Sequence, residues 1–344
     1  MPSSNFEDSW YDVSMRYYYQ QLTESEKKLF RTLYQAIMTY EPVTFQANRK
    51  YSEDEFSRAA DALWHDCPEL FQFNRYQYSY SYDSSSHYEY TVSSLEPHCS
   101  QTEYARRSER IRAVIQDINR RIPAGADDYD VELACYRYII EHCDYLIDEP
   151  NTTTAYSSIV YGYAQCEGYA DGLCLLLRCA GIPCIHVASE NHAWNIVKIN
   201  GAWYQCDATW DDPLGGNYPF IDGQDFYLPH FNIPDRLMLS IDSHAYRASV
   251  FSVPVCTDIR ESYTCRDGIY IPGGTVDARS KIEDAIRSAY AAGKRKMLIR
   301  ADGIAEYEAL EQCAVGIYSV VPGLSSFQYY SQKPELYCIY FVFE

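Results

Sequence analysis

The stretch Glu190-Asn191-His192-Ala193-Trp194-Asn195-Ile196-Val197-Lys198-Ile199-Asn200-Gly201-Ala202-Trp203-Tyr204-Gln205-Cys206-Asp207-Ala208-Thr209-Trp210 holds two alternating runs split by an Asn-Gly pair. That pair predicts a two-residue type I′ hairpin turn, which needs positive φ at both central residues. With this turn Ile199 pairs with Ala202, Val197 with Tyr204 and His192 with Thr209, and Trp194 falls opposite Asp207. His192 and Asp207 then become diagonal neighbours on one face, roughly 5 to 8 Å apart at Cβ, within reach of an imidazole-to-carboxylate hydrogen bond. A slip of one residue would send them to opposite faces.

Upstream, a loop gives way at Cys166 to an apolar helix, Cys166-Glu167-Gly168-Tyr169-Ala170-Asp171-Gly172-Leu173-Cys174-Leu175-Leu176-Leu177-Arg178. A thiol at a helix N-terminus feels the positive end of the dipole and free N–H groups, which favour thiolate. The same N–H groups can form half of an oxyanion hole. Gly168 and Ala170 are small enough for close packing. A lone cysteine more often fills a core, and Cys174, Cys179, Cys184 and Cys206 are read that way. Cys166 differs because a histidine oriented by a carboxylate is what a thiol nucleophile needs beside it: one ring nitrogen takes the thiol proton while the other donates to the carboxylate. The reading is therefore Cys166 as nucleophile, His192 as base and Asp207 as orienting acid. Zinc is the competing reading, but no C-x₂-C or H-x₃-H pair occurs, and Cys184 with His186 or Cys206 with Asp207 lacks a full ligand set, so no metal is expected. Asp211-Asp212 before Pro213 reads as a loop-capping pair rather than a calcium site.

Four strings now on the page resemble the bacterial transglutaminase-like superfamily: Cys166-Glu167-Gly168-Tyr169-Ala170, Gly181-Ile182-Pro183-Cys184, His192-Ala193-Trp194-Asn195 and Trp203 to Pro213. The resemblance is strong over about residues 130 to 215 and weaker at Tyr17 to Leu22 and at Ala155-Tyr156. It implies a papain-like core and the same roles for Cys166, His192 and Asp207. Cys206 departs from the aliphatic residue common before the aspartate. Tyr156, Gln165 and Trp194 are candidates for the oxyanion hole or the substrate wall. Cross-linking enzymes, peptidases, amidases and inactive scaffolds all occur in this superfamily, so the resemblance leaves the reaction open.

At 344 residues the chain exceeds the size of a single core. Residues 1–105 read as an accessory region of helices and a hairpin, 106–250 as the catalytic domain and 251–344 as a small α+β domain, an α+β protein whose nucleophile-bearing helix packs on an antiparallel sheet. In the first region Thr23 and Glu26 make a capping box before Leu29, Leu33 and Ile37, with Pro42 ending the helix, and a second helix spans Ser52 to Trp64. Tyr76, Tyr78, Tyr80 and Tyr82 alternate strictly, and Tyr88, Tyr90 and Val92 return after a polar turn, giving a tyrosine-faced hairpin. Helices follow over Thr102 to Arg121 and Asp128 to Cys143, then a loop over Leu146 to Gln165. Beyond Pro254, helices over Ser280 to Ala292 and Ile304 to Cys313 alternate with strands over Lys296 to Arg300 and Leu336 to Phe343.

The formal charge of −19, from 48 acidic and 29 basic residues with no basic run, argues against nucleic acid as a partner. The composition, 47% apolar and 22% charged, is that of a folded globular protein. Thirteen cysteines at irregular spacing, several in apolar helical patterns, point to a reducing compartment. Met1 to Asp8 lacks a basic n-region and an apolar h-region, and no apolar run approaches the ~20 residues of a membrane span. A cytoplasmic protein without a membrane anchor or cofactor is expected; a trimmed exported precursor is the alternative. The expected partner is a peptide or protein substrate. The leading functional reading is hydrolysis of a peptide or amide bond through a thioester, with transfer to an amine acceptor and a non-catalytic scaffold as alternatives.

Overall fold

A computed structural model of the protein describes residues 12–212, 227–246, 251–331 and 336–344; Pro213 lies outside them. The fold is α+β, and it divides into two compact units, Met1–Asn200 with Tyr246–Pro254 and Gly201–Ala245 with Val255–Glu344. The boundaries drawn from sequence texture, after residues 105 and 250, do not coincide with this division.

In the first unit, helix α1 (Glu24–Thr39) starts at the expected capping box: Thr23 Oγ1 accepts from Glu26 N at 3.3 Å, and Glu26 Oε2 accepts from Thr23 N at 2.8 Å. Leu29, Leu33 and Ile37 form its buried stripe, and Tyr40, at φ 60°, turns the chain out of the helix before Pro42. A short strand β1 (Val43–Ala47), not anticipated from the sequence, precedes helix α2 (Glu53–Asp66). Strands β2 (Arg75–Tyr82) and β3 (Tyr88–Leu95) are the tyrosine hairpin, and β3 lies between β1 and β2. Tyr78 stacks on Phe56 of α2 with ring centroids 3.8 Å apart, and Tyr90 is fully buried, whereas Tyr82 near the turn is 70% exposed. The aromatic face is thus core beneath α2 and surface at the hairpin tip.

Helices α3 (Gln101–Arg121) and α4 (Asp128–His142) match expectation closely. The polar stretch after them does not stay a loop. Asp144–Tyr145 pairs in parallel with Tyr163–Ala164, and Ser157–Tyr161 forms a π-type turn closed by Gly162 at φ 78°. Serine hydroxyls make this possible by bonding backbone while buried: Ser157 Oγ donates to Tyr163 O and Ser158 Oγ to Gly168 O, both at 2.7 Å. Tertiary burial overrides the local polarity.

Helix α5 (Cys166–Cys179) then packs on the antiparallel strands β4 (Cys184–Ala188) and β5 (Ala193–Ile199), the helix-on-sheet arrangement expected of a papain-like core. Asn195 of β5 donates from Nδ2 to the Ala170 carbonyl at 3.0 Å. At the far end of α5, the Arg178 guanidinium donates to the Cys184 carbonyl from Nε at 3.0 Å and from a terminal nitrogen at 2.8 Å, and it also engages the carbonyl and carboxylate of Asp66. The Asp66 carboxylate accepts the Tyr19 amide at 2.7 Å. Burial pushes the Asp66 carboxyl up to about 6 against the pull of Arg178. One buried cation therefore ties α2, α5 and β4 together.

The second unit opens with strand β6 (Ala202–Cys206), whose Gln205 makes an antiparallel bridge to Ile233 with N–H to O distances of 2.9 and 3.0 Å. Its main sheet contains β7 (Ile269–Ile271), β8 (Lys296–Ala301), β9 (Phe327–Tyr330) and β10 (Cys338–Phe343) in the order β9-β10-β8-β7, with β7 parallel to β8. Helices α6 (Ala278–Ala291) and α7 (Ile304–Val315) share its core through Ile282, Ile286 and Leu310 against Ile299, Ile339 and Phe341. The helices and the strands β8 and β10 were legible in the sequence, while the short β7 and β9 were not. No described helix is long and apolar enough to cross a membrane.

The division between the units falls at the Asn200-Gly201 turn, where φ is 49° and 87°. Both are positive, as a type I′ turn demands. No heavy atom outside the adjacent residues approaches a Cβ built on Gly201, so a substitution there meets only backbone strain. Gly201→Ala is expected to destabilise the protein by about 1 to 2 kcal/mol, and Asn200→Gly by only a few tenths, measured as shifts in a urea unfolding midpoint.

Candidate active site

Cys166 is the first residue of α5 and follows Gln165, whose extended backbone (φ −90°, ψ 175°) brings the chain into the helix. The turn is held from the preceding segment. Gln165 N donates to the Thr152 carbonyl at 2.8 Å, and Gln165 Nε2 donates to the Thr152 hydroxyl at 2.8 Å. One turn further on, Tyr169 donates its hydroxyl to the Cys143 carbonyl at 2.7 Å. Gly168 must be glycine, since a Cβ there would lie 2.4 Å from the Thr152 oxygen and 2.8 Å from Ala164 Cβ.

Cys166 is partly exposed, and its thiol hydrogen-bonds the His192 side chain. Burial alone would raise the thiol's pKa. The hydrogen bond and charge of His192, with the backbone N–H groups of Ala193 and Glu167, outweigh it and hold the thiol below its ordinary value. His192 sits just before β5, on a turn in which its N–H meets Ser189 Oγ at 3.1 Å and its carbonyl accepts the Ser189 N–H at 2.8 Å. Its ring lies nearly parallel to Trp194 at 5.9 Å, and Trp194 in turn stacks on Tyr246 at 5.6 Å. Trp194 is buried behind the imidazole, where it fixes the ring plane.

Cys166 and His192 open into a cavity of about 380 Å³, whose described walls also include Asp61, Trp64, Glu167, His186 and Glu190. Trp64 donates its indole N–H to Glu167 at 2.7 Å, and His186 shares a proton with Asp171 at 2.8 Å. Burial raises the Glu167 carboxyl above its usual range. His186 is raised too, because the Asp171 hydrogen bond and charge overcome the lowering effect of burial. The sequence did not bring these wall residues together, since they come from α2, α5, β4 and the turn after β4 and share no local pattern.

Gln165 turns toward Thr152, and Tyr156 packs against Phe71 and receives Arg110 on its hydroxyl at 2.8 Å. Neither they nor Trp194 are among the described residues lining the cavity. Asp207 follows β6 in the second unit and is fully buried. Its Oδ1 accepts the Trp210 N–H at 3.1 Å, and its Oδ2 lies 2.7 Å from His244 Nε2. Asp211 accepts from the backbone N–H of His230 at 3.2 Å and lies 2.7 Å from its ring nitrogen, while the loop that the Asp211-Asp212 pair was expected to cap, from Pro213 on, lies outside the described residues. His244 escaped the sequence reading because it stands far down the chain with no spacing signature. All thirteen cysteines are thiols, none in a disulfide.

The family model of the transglutaminase-like superfamily matches residues 116–208, from α3 through β6 to Asp207 and Ala208. Over residues 116–208 the chain is thus similar to a transglutaminase-like domain. The match takes in Cys166, His192 and Asp207 together, and it supports a thiol-dependent enzyme without choosing between hydrolysis and acyl transfer. No curated protein matches the chain in sequence. Among solved structures, a TGase is similar at 14% identity over 54% of this chain and 55% of its own, with a TM-score of 0.29. A candidate cysteine protease from Cytophaga hutchinsonii is similar at 16% identity over 41% of this chain and 64% of its own, with a TM-score of 0.26. A candidate protease from Parabacteroides distasonis is similar at 7% identity over 48% of this chain and 37% of its own, with a TM-score of 0.24. This chain thus spans just over half the length of the TGase, and likenesses this distant carry no argument about its reaction.

Because thiolate is the reactive form, iodoacetamide should label Cys166 first among the cysteines at neutral pH. Its rate should fall only as pH drops below the ordinary thiol range and through the lowered pKa. His192→Ala removes the largest of the contributions that lower that pKa and leaves only the backbone N–H groups, so the neutral-pH rate should drop by about ten-fold, read by peptide mapping. Gly168→Ala should cost more than about 2 kcal/mol of stability, since its clash is with backbone. A melting temperature equal to wild type would show that the Thr152 approach is not rigid.

Proposed function

We propose that this protein is a cysteine hydrolase that cleaves a peptide or amide bond through a thioester, with Cys166 as nucleophile, His192 as general base and acid, and Asp207 as the carboxylate that orients the imidazole. The observation that carries the reading is the hydrogen bond between Cys166 and His192 at a helix N-terminus, with the thiol pKa held down inside an open cavity. A scaffold has no use for a thiol prepared in this way. The role of Asp207 rests on its place in the matched family segment and on the hairpin spacing, whose turn residues both take positive φ.

The chemistry follows from these groups. The Cys166 thiolate attacks the substrate carbonyl carbon, forming the C–S bond and an oxyanion. As the tetrahedral intermediate collapses, the C–N bond breaks and the His192 imidazolium gives its proton to the departing amine. Water then enters, His192 takes its proton, and hydroxide forms the C–O bond while the C–S bond breaks, returning the thiolate as the acid leaves. In this reading backbone N–H groups at the start of α5 stabilise the oxyanion. An amine in place of water would give acyl transfer by the same steps, and the acceptor decides between the two.

Intact mass spectrometry of peptide libraries, incubated with and without an added primary amine, reads donor and acceptor together. Hydrolysis predicts acid products whose yield the amine leaves unchanged; amide products dominating with amine present would make the enzyme a transferase. Cys166→Ala should abolish turnover and His192→Ala should nearly do so. Asp207→Ala should be severe but milder, and Asp211→Ala nearly neutral for kcat. Turnover by Cys166→Ala equal to wild type would end the thiol mechanism.

A further inference from the structure

The Asp207 carboxylate does not stand alone in the second unit. Its Oδ2 lies 2.7 Å from His244 Nε2, both side chains are wholly excluded from solvent, and His244 Nδ1 lies 3.1 Å from Ser243 Oγ. The indole of Trp210 meets the His244 ring edge-on at 4.9 Å, while the Trp210 amide binds Asp207 Oδ1. We propose that His244 is a positioning residue for Asp207, which fixes the carboxylate rotamer and keeps it ionised. This rests on the reading of Asp207 as the member that orients His192.

The argument is one of donors and acceptors. A fully buried carboxylate keeps its charge only if donors replace water, and each missing donor raises its pKa. Trp210 N–H supplies one donor and His244 supplies another on the second oxygen. Each carboxylate oxygen has about two lone pairs, so this arrangement still leaves room to accept an imidazole N–H. When the Ser243 hydroxyl donates to Nδ1, the His244 proton is fixed on Nε2, facing Asp207. Ser243 then donates to His244 and His244 to the accepting Asp207 carboxylate, so that each group orients the next. Edge-on contact with Trp210 restricts rotation of the His244 ring and makes the arrangement rigid.

Two amide replacements separate this role from simple packing. The Nε2 of a glutamine can reach where His244 Nε2 now lies, whereas an asparagine amide reaches only the Nδ1 position beside Ser243. The readout is the rate at which iodoacetamide alkylates Cys166 at neutral pH, assigned by peptide mapping, with Asp207→Asn setting the scale. His244→Asn should slow alkylation about ten-fold, the effect of one hydrogen bond to a charged group. His244→Gln should stay within about three-fold of wild type, and the His244→Asn, Asp207→Asn pair should be no slower than Asp207→Asn alone. Melting temperatures identify folded variants, and His244→Gln with Ser243→Ala carries the test if His244→Asn does not fold. In that case a wild-type-like His244→Gln with a slowed Ser243→Ala supports the proposal, and a wild-type-like Ser243→Ala overturns it. Equal slowing by His244→Asn and His244→Gln, or a wild-type rate in His244→Asn while Asp207→Asn is slow, overturns the role of His244 and leaves that of Asp207 standing. A wild-type rate in Asp207→Asn overturns the reading of Asp207 itself, and the proposal with it.

Discussion

The buried guanidinium of Arg178 is the constraint on which the first unit depends. Placing an arginine in a protein interior is costly unless its donors are matched, and here they meet the Cys184 carbonyl at the start of β4 and both the carbonyl and carboxylate of Asp66 at the end of α2. With its C-terminal end fixed in this way, α5 can present its N-terminal end in only one place. Cys166 is at that end, and His192 precedes the strand that pairs with β4. The approach of thiol and imidazole is therefore constrained by packing at the opposite end of α5.

The thiols show how environment selects a nucleophile. Burial pushes Cys135 and Cys256 up, and Cys313 up to about 11 despite the opposing charges of Arg279 and Arg287, because desolvation penalises the thiolate. Two others go down. Cys174 is lowered against burial by Cys184 and Arg178, but it is wholly enclosed. Cys166 is lowered by an imidazole and two backbone N–H groups, and it opens into a cavity. Reactivity needs both polarisation and access, and the two coincide at Cys166.

Around Trp210 the second unit repeats a single motif: a carboxylate paired with a histidine, Asp207 with His244 and Asp211 with His230, each ring edge-on to the same indole. Charges buried this deeply persist because each has a partner. Asp207 and Asp211 are four residues apart in the chain, yet one is a candidate for catalysis and the other is bound to the backbone and ring of His230. Composition does not separate them; their surroundings do.

The sequence by itself determined the local elements and the chemistry on offer. The Thr23 capping box, the tyrosine alternation, the Asn200-Gly201 turn and a cysteine at the head of an apolar helix are all encoded within a few residues, where propensity and hydrogen bonding act directly. The family strings were legible for the same reason, being short and ordered. What only the tertiary structure decided is what those residues face. Thr152 crowding Gly168, the buried serines that turn a polar stretch into a π-type turn, the Trp194 and Tyr246 stack behind His192, and His244 against Asp207 all join positions distant in the chain. Such pairings depend on which buried donors and acceptors must be satisfied at once, and that is settled only when the core closes.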